Sequence, residues 1–174
     1  MIDDVFVFDG VAHPFNFEAK NAFGKPGEMF SNHLYAFHAT LTPDGETHLR
    51  PEQFLRKWTI EDIRRMVYDE SDTDMLVAMP LPLTDMYADG LSPWEECAEL
   101  AARDPDRTVF WGSVNPLEGR RALDLMERQV GEFGAKAFSS TTCATTTAAP
   151  SRGGWTTRRW RSRSSRRRAS WAST

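Results

Sequence analysis

Residues 109–138 read VFWGSVNPLEGRRALDLMERQVGEFGAKAF and contain a strand, a helix and the start of another strand in succession. The opening run is apolar and short, which is typical of a strand covered on both faces. Residues 115–118 open a helix with an acid near its positive end, and Gly134 can close it with a left-handed C-cap. Between them, four residues at helical spacing predict a buried stripe: Leu123, Met126, Val130 and Phe133. This stretch predicts a βαβ unit.

The same alternation extends towards the N-terminus. Residues 5–8 and 75–79 form two earlier apolar runs, and helical patterns lie between the runs. Thr59, followed by Glu61 and Asp62, predicts one helix start, and the sequence SPWE at 92–95 predicts another, a capping box with Ser92 as the cap. The order βαβαβαβ favours a parallel sheet with right-handed crossovers, so the fold class is α/β.

A long insertion separates the first predicted strand from the first predicted helix. It spans about residues 14–58, contains His33, His38 and His48, and is predicted to be a loop. It leaves the carboxyl end of a strand, where α/β proteins build their sites, and a loop of this length is more often functional than idle. Neither a dinucleotide-binding nor a phosphate-binding glycine motif occurs in the chain.

The composition changes abruptly after Phe138. Residues 1–138 carry 13 Lys and Arg against 25 Asp and Glu, whereas residues 139–174 carry 8 Arg and no acid, and they lack Leu, Ile, Val, Met and Phe altogether. Such a segment cannot bury enough apolar surface to offset the entropy of ordering it. We therefore predict one domain over 1–138, followed by a disordered Arg/Ser/Thr-rich tail.

Two explanations compete for this tail. Its arginines could pair with phosphates and its tryptophans could stack on bases, which would make the chain a nucleic-acid-binding module. Alternatively, the tail is the product of a GC-rich gene translated out of frame. With suitable codons, a one-nucleotide shift converts residues 139–148 into KFYNVRYDYG, a plausible strand and loop. We favour the frameshift, so the expectation is a truncated chain without a nucleic-acid partner.

The remaining composition bears on the cellular location and on the role of the cysteines. Asp3 and Asp4 stand where a secretory signal would need bases, and no apolar run approaches the roughly 18 residues of a membrane span. A cytoplasmic protein without membrane contact is predicted. The only cysteines, Cys97 and Cys143, exclude a disulfide framework and a Cys-based zinc site, and Cys97 is expected to be a small core residue.

Three motifs in order resemble the amidohydrolase-related branch of the metal-dependent amidohydrolase superfamily. VFDGVAH at 7–13 looks like the first strand of that family, with an Asp and then a His-x-His pair; NPLE at 115–118 looks like its third strand-to-helix turn, and GAKAF at 134–138 like its fourth strand. The resemblance covers most of residues 5–138. It implies a TIM barrel, of which this chain would hold about three and a half βα units.

The resemblance also implies a function. Family members hydrolyse or decarboxylate small carbonyl-bearing substrates with a divalent metal such as zinc, which lowers the pKa of a bound water so that hydroxide can attack a carbonyl. His13 matches the second histidine of the metal-binding pair, but Val11 replaces the first and cannot bind a metal. The later ligand strands are missing, so this chain is expected to be inactive, and no catalytic residue is assigned.

Each candidate residue also has a structural interpretation. His13 is either a metal or substrate ligand or a hydrogen-bonded wall residue, and Asp9 is expected to hold the strand-to-loop turn. The possible rim residues are Asp9, His33, His38 and Asp85, and the alternative for the last three is a solvated position. His48 is expected to be exposed. A third possibility for the whole chain is a fragment that cannot close its barrel. The substrate, the metal and the oligomeric state are left open.

Overall fold

The computed structural model describes residues 4–42 and 47–140. The strands are β1 (Phe8–Ala12), β2 (Met75–Ala78), β3 (Thr108–Ser113) and β4 (Ala137–Ser139). The α-helices are α1 (Gly24–Leu41), α2 (Pro51–Phe54), α3 (Ile60–Arg64), α4 (Trp94–Arg103) and α5 (Arg120–Gly131). The predicted tail starts at residue 139, and its residues 141–174 lie outside the described residues. The predicted alternation of strands and helices is confirmed.

The four described strands form one parallel sheet in the order β1-β2-β3-β4. The first strand starts later than the apolar run at 5–8 predicts, because pairing with β2 begins where Phe8 meets Met75. Val5 and Phe6 are instead 61% and 58% exposed. The β1–β2 register shifts between Asp9 and Ala12, which marks an irregularity immediately before the carboxyl end of the strand.

The main core lies between one face of the sheet and the helices. Leu76 and Ala78 of β2 and Phe110 of β3 belong to the same buried cluster as residues of α3 and α4. These strand positions alternate with residues that point to the opposite face, as the pleat of a strand requires. Cys97 of α4 is fully buried in this cluster, which confirms its predicted role as a small core residue.

The two predicted helix starts have different outcomes. Thr59 caps α3 as expected: its hydroxyl accepts from the amide of Asp62 at 3.1 Å, and the Asp62 carboxylate accepts from the Thr59 amide at 3.0 Å. The helix then continues as a π-helical turn over Arg65–Asp69. The predicted cap at Ser92 is wrong. Backbone pairing between Leu81 and Ser92 turns the Ser92 hydroxyl into the core, 3.4 Å from the Met79 carbonyl, and α4 starts without a side-chain cap.

Helix α5 also departs from its prediction. Asn115 caps only a short 3₁₀ turn, Pro116–Glu118, and α5 begins after Gly119, whose φ is +61°. The stripe predicted to be buried is more than one-third exposed at each position: Leu123, Met126, Val130 and Phe133. The buried residues of the helix are Ala122 and Gln129 instead, and of the predicted stripe Phe133 makes an edge-on ring contact with Trp94 of α4. Gly134 does adopt the predicted left-handed conformation, with φ +69°.

The insertion at 14–58 is not the loop that was predicted. It contains α1, an 18-residue helix, and the single-turn helix α2. Helical periodicity in α1 is masked by its aromatic and histidine residues, which have only moderate helix propensity. Among the described residues, no helix has the length and apolarity needed to cross a membrane.

Candidate functional site

Asp9, Val11 and His13 lie at the carboxyl end of β1, where the family resemblance puts its metal-binding motif. The Asp9 carboxylate accepts a hydrogen bond from the Val11 amide at 3.0 Å. This local side-chain bond lies at the irregular part of the strand. Asp9 was expected to hold the strand-to-loop turn; its hydrogen bond instead lies within β1. Val11 is 52% exposed and presents an apolar side chain.

His13 connects the ends of the first two strands. Its Nδ1 lies 2.6 Å from the carbonyl oxygen of Met79, which follows β2. A carbonyl can only accept, so Nδ1 carries the proton and Nε2 of the neutral ring carries a lone pair. Burial lowers the pKa of the imidazole below its usual value, although the Met79 hydrogen bond and the negative charge of Asp9 act in the opposite direction. His13 is thus a neutral, hydrogen-bonded histidine at the site edge.

The described residues near His13 do not make a zinc site. Zinc needs three or four N, S or O ligands, and an imidazole usually serves as one of them. Within residues 4–42 and 47–140, no three His, Cys, Asp or Glu side chains are grouped closely enough to hold a metal. One imidazole with Val11 beside it does not fit the group.

His33 and His38 were expected in a loop and instead belong to α1. His33 is exposed and makes an edge-on contact with Phe37, with ring centroids 4.7 Å apart. His38 is a bracing residue: its Nε2 accepts from the Leu49 amide at 2.9 Å, and its Nδ1 lies 3.0 Å from the Thr42 hydroxyl. Both nitrogens of His38 are thus used to attach the end of α1 to the segment that follows.

The remaining polar candidates are His48 and Asp85. His48 was expected to be exposed, but it is half-buried, with its ring 5.5 Å from that of His38. Asp85 is exposed in the turn after β2, as the solvated alternative for it predicts. The structure does not bring Asp85, His33 and His38 together with His13 in one described cluster of ligands.

A cleft that the sequence did not predict lies beside the carboxyl ends of β2 and β3. Its volume is about 490 Å³, and it is bounded by the turn after β2, the start of α4 and the turn between β3 and α5. Lys57 reaches into its wall and pairs with Glu96 at 2.5 Å. Partial burial raises the pKa of the neighbouring Glu95 carboxyl, and the charges of Asp89 and Glu96 add to this effect.

Ser113, the last residue of β3, is also part of the cleft wall. The side chain of Gln129, itself fully buried, accepts from the Ser113 amide at 2.9 Å and donates to the Ser113 carbonyl at 3.0 Å. Gly112 makes this possible, because a Cβ there would collide with Gln129 and Phe138. The Ser113 hydroxyl remains buried without a hydrogen-bond partner, as does Oε2 of Glu96.

Sequence reasoning missed this cleft for a physical reason. Lys57, Glu96 and Ser113 are far apart in the chain and belong to no common motif, so only the folding of the sheet brings them together. Comparison with known proteins finds no family model, no curated protein and no solved structure that matches the chain.

Proposed function

We propose that the described sheet is the first half of a (βα)₈ barrel and that the chain is related to amidohydrolase-like enzymes. The support is topological: the strands are parallel and follow chain order. In the common doubly wound sheets the first four strands lie in the order 3-2-1-4 or 2-1-3-4, whereas a barrel adds its strands in sequence. Helices between successive strands agree with the same architecture.

The proposed activity is hydrolysis or decarboxylation of a small carbonyl-bearing substrate. Enzymes of this type use a divalent metal such as zinc for the reaction. The observation that carries this proposal is His13, a neutral imidazole held at the carboxyl edge of the sheet by Met79, with a lone pair on Nε2. Because the described residues offer no set of three ligands, we expect the chain alone to bind zinc weakly and to show no turnover.

Restoring the histidine pair tests the proposal. Val11→His places a second imidazole two residues before His13, which is the His-x-His spacing that the resemblance implies. Val11 is 52% exposed, so the substitution should be tolerated. We expect zinc affinity, measured by isothermal titration calorimetry on the full chain, to rise about tenfold or more, which corresponds to about 1.4 kcal/mol.

Two controls make the result specific. Val5→His adds an imidazole at another exposed position, 61% accessible, and should not raise the affinity. Val11→His combined with His13→Ala should lose the gain. If Val11→His binds zinc no more tightly than Val5→His, the carboxyl end of β1 is not arranged as a metal-binding strand, and the amidohydrolase proposal fails.

A further inference from the structure

We propose that two copies of this chain associate through the outward face of α1, with the two helices antiparallel. The outward face is defined by six exposed residues of the helix: Met29, His33, Ala36, Phe37, Thr40 and Leu41. It lies in the insertion that follows β1 and includes neither a strand nor His13. The inference therefore does not depend on the proposed hydrolase function.

The opposite side of α1 is fixed to the rest of the protein, and this determines which side points outward. Gly27 and Ser31 are the buried residues of the helix. The phenolic oxygen of Tyr87, in the segment after β2, donates to the Gly27 carbonyl at 2.9 Å and lies 2.8 Å from the Ser31 hydroxyl. Tyr87 is itself fully buried, so these bonds hold the helix in one orientation. The outward face is consequently presented to solvent.

Large apolar side chains occupy the outward face. Met29, Phe37 and Leu41 are 70%, 51% and 74% exposed. At about 200 Å² for a large side chain, the three present about 400 Å² of apolar surface per copy, and patches of this size mark interaction sites on soluble proteins. Two such faces, together with the smaller residues between the large ones, would bury more than about 1,000 Å². This area is enough for a specific protein interface.

The charge pattern of α1 favours a second copy over a charged partner. Residues 29–42 contain no Asp, Glu, Lys or Arg, whereas residues 1–138 carry 25 acids against 13 bases. Two copies with this excess of negative charge repel each other, so they approach most easily through a surface that is uncharged on both. A nucleic acid or an anionic membrane needs Lys or Arg contacts, which the outward face does not supply.

The order of residues along α1 is symmetric about His33. Met29 precedes His33 by four residues and Phe37 follows it by four, so all three lie on one side of the helix. A two-fold axis at His33 therefore brings Met29 of each copy next to Phe37 of the other, a sulfur–aromatic contact that is made twice. Lys25 and Leu41 are each eight residues from His33 and meet at the two ends. There the Lys25 ammonium lies near the negative end of the other helix dipole.

Sedimentation velocity on the full chain over a range of concentrations tests the inference. We expect a monomer–dimer equilibrium with a dissociation constant of about 10 µM or tighter. Met29→Glu and Phe37→Glu should each weaken the association about tenfold or more without lowering the melting temperature, since both side chains are exposed. The matched control is Leu123→Glu on α5, where Leu123 is 55% exposed on another surface, and it should change nothing. A chain that stays monomeric up to about 100 µM, or association that Leu123→Glu weakens as much as Met29→Glu does, would overturn the proposal.

Introduced cysteines test the antiparallel arrangement. In a Cys143→Ser background the remaining natural thiol, Cys97, is buried. His33→Cys should form a disulfide-linked dimer under mild oxidation, because the two copies of this residue meet at the axis. Lys25→Cys alone should not, since its two copies lie about 24 Å apart, but it should cross-link when it is mixed with Leu41→Cys. Cross-linking of Lys25→Cys with itself, or no cross-linking of His33→Cys, would refute the antiparallel dimer.

A lipid surface as the occupant would give a different result. The full chain would then stay monomeric and bind vesicles of neutral phosphatidylcholine, and Met29→Glu would abolish the vesicle binding. This result would overturn the dimer. None of these measurements involves His13, so they test the outward face separately from zinc binding by Val11→His.

Discussion

Replacing Gln129 by Ala should destabilise the protein more than any exposed polar substitution. Gln129 is fully buried, and its amide makes two hydrogen bonds to the backbone of Ser113, at 2.9 and 3.0 Å. Its removal leaves a buried N–H and a buried C=O unpaired, each at about 1–3 kcal/mol, and opens a small cavity. We expect a total loss of about 3–5 kcal/mol, or roughly 10 °C in melting temperature for a chain of this size.

Thermal unfolding followed by circular dichroism measures this loss, and two further variants resolve its origin. Gln129→Leu keeps most of the volume and removes both hydrogen bonds, so it should recover only the cavity part of the loss. Gln53→Ala is the surface control, because Gln53 is exposed and makes one capping bond to the Arg50 amide at 2.9 Å. It should cost about 1 kcal/mol. The reasoning is refuted if Gln129→Ala costs no more than Gln53→Ala, or if Leu restores full stability.

Three other outcomes are expected. Gly112→Ala should be strongly destabilising, because the new Cβ would collide with Gln129 and Phe138, whereas Gly131→Ala meets open space and should gain up to about 1 kcal/mol; denaturant melts compare the two. His13 has a lowered pKa in the folded state, so stability should fall as the pH drops below about 6.5, where the unfolded state takes up the proton first; His13→Gln should flatten this part of a urea-unfolding series from pH 7.5 to 5. Resequencing the gene from independent DNA should reveal a frame change near codon 138, and an intact frame there, with DNA binding that weakens steeply with salt, would favour the nucleic-acid alternative.

Local sequence patterns predicted which strands form the sheet better than they predicted where each strand begins and ends. The apolar runs at 75–79 and 109–114 correspond to β2 and β3, because a run covered on both faces is distinctive in sequence. Residues 5–8 form an equally apolar run, yet only Phe8 joins β1. Pairing with β2 sets the start of that strand, and a partner far away in sequence leaves no local signal.

For the helices, the sequence pattern likewise did not predict which side is buried. Helical spacing correctly indicated α5, but it could not show which side meets the sheet. Gln129 faces inward because Ser113 offers two backbone groups at one place, and the apolar stripe ending at Phe133 is consequently left more exposed. Ser92 is a similar case, since backbone pairing with Leu81 overrides its ordinary preference for a helix cap.

For the site, single residues were predictable and their grouping was not. The position of His13 directly after β1 follows from one short motif. The histidines of α1 could not be placed, because their separation of five residues does not by itself indicate the helix that carries them. The cleft around Ser113 requires residues from separate parts of the chain, and one sequence alone contains no measure of that proximity.

The thiol of Cys97 offers a built-in reporter on opening of the core. It is completely buried, and burial raises its pKa to about 12, so at neutral pH it is neither accessible nor ionised. An alkylating reagent can modify it only in molecules whose helix α4 has transiently left the sheet. With Cys143 changed to Ser, Cys97 is the sole thiol, and its labelling rate then measures how often this part of the molecule comes apart under native conditions.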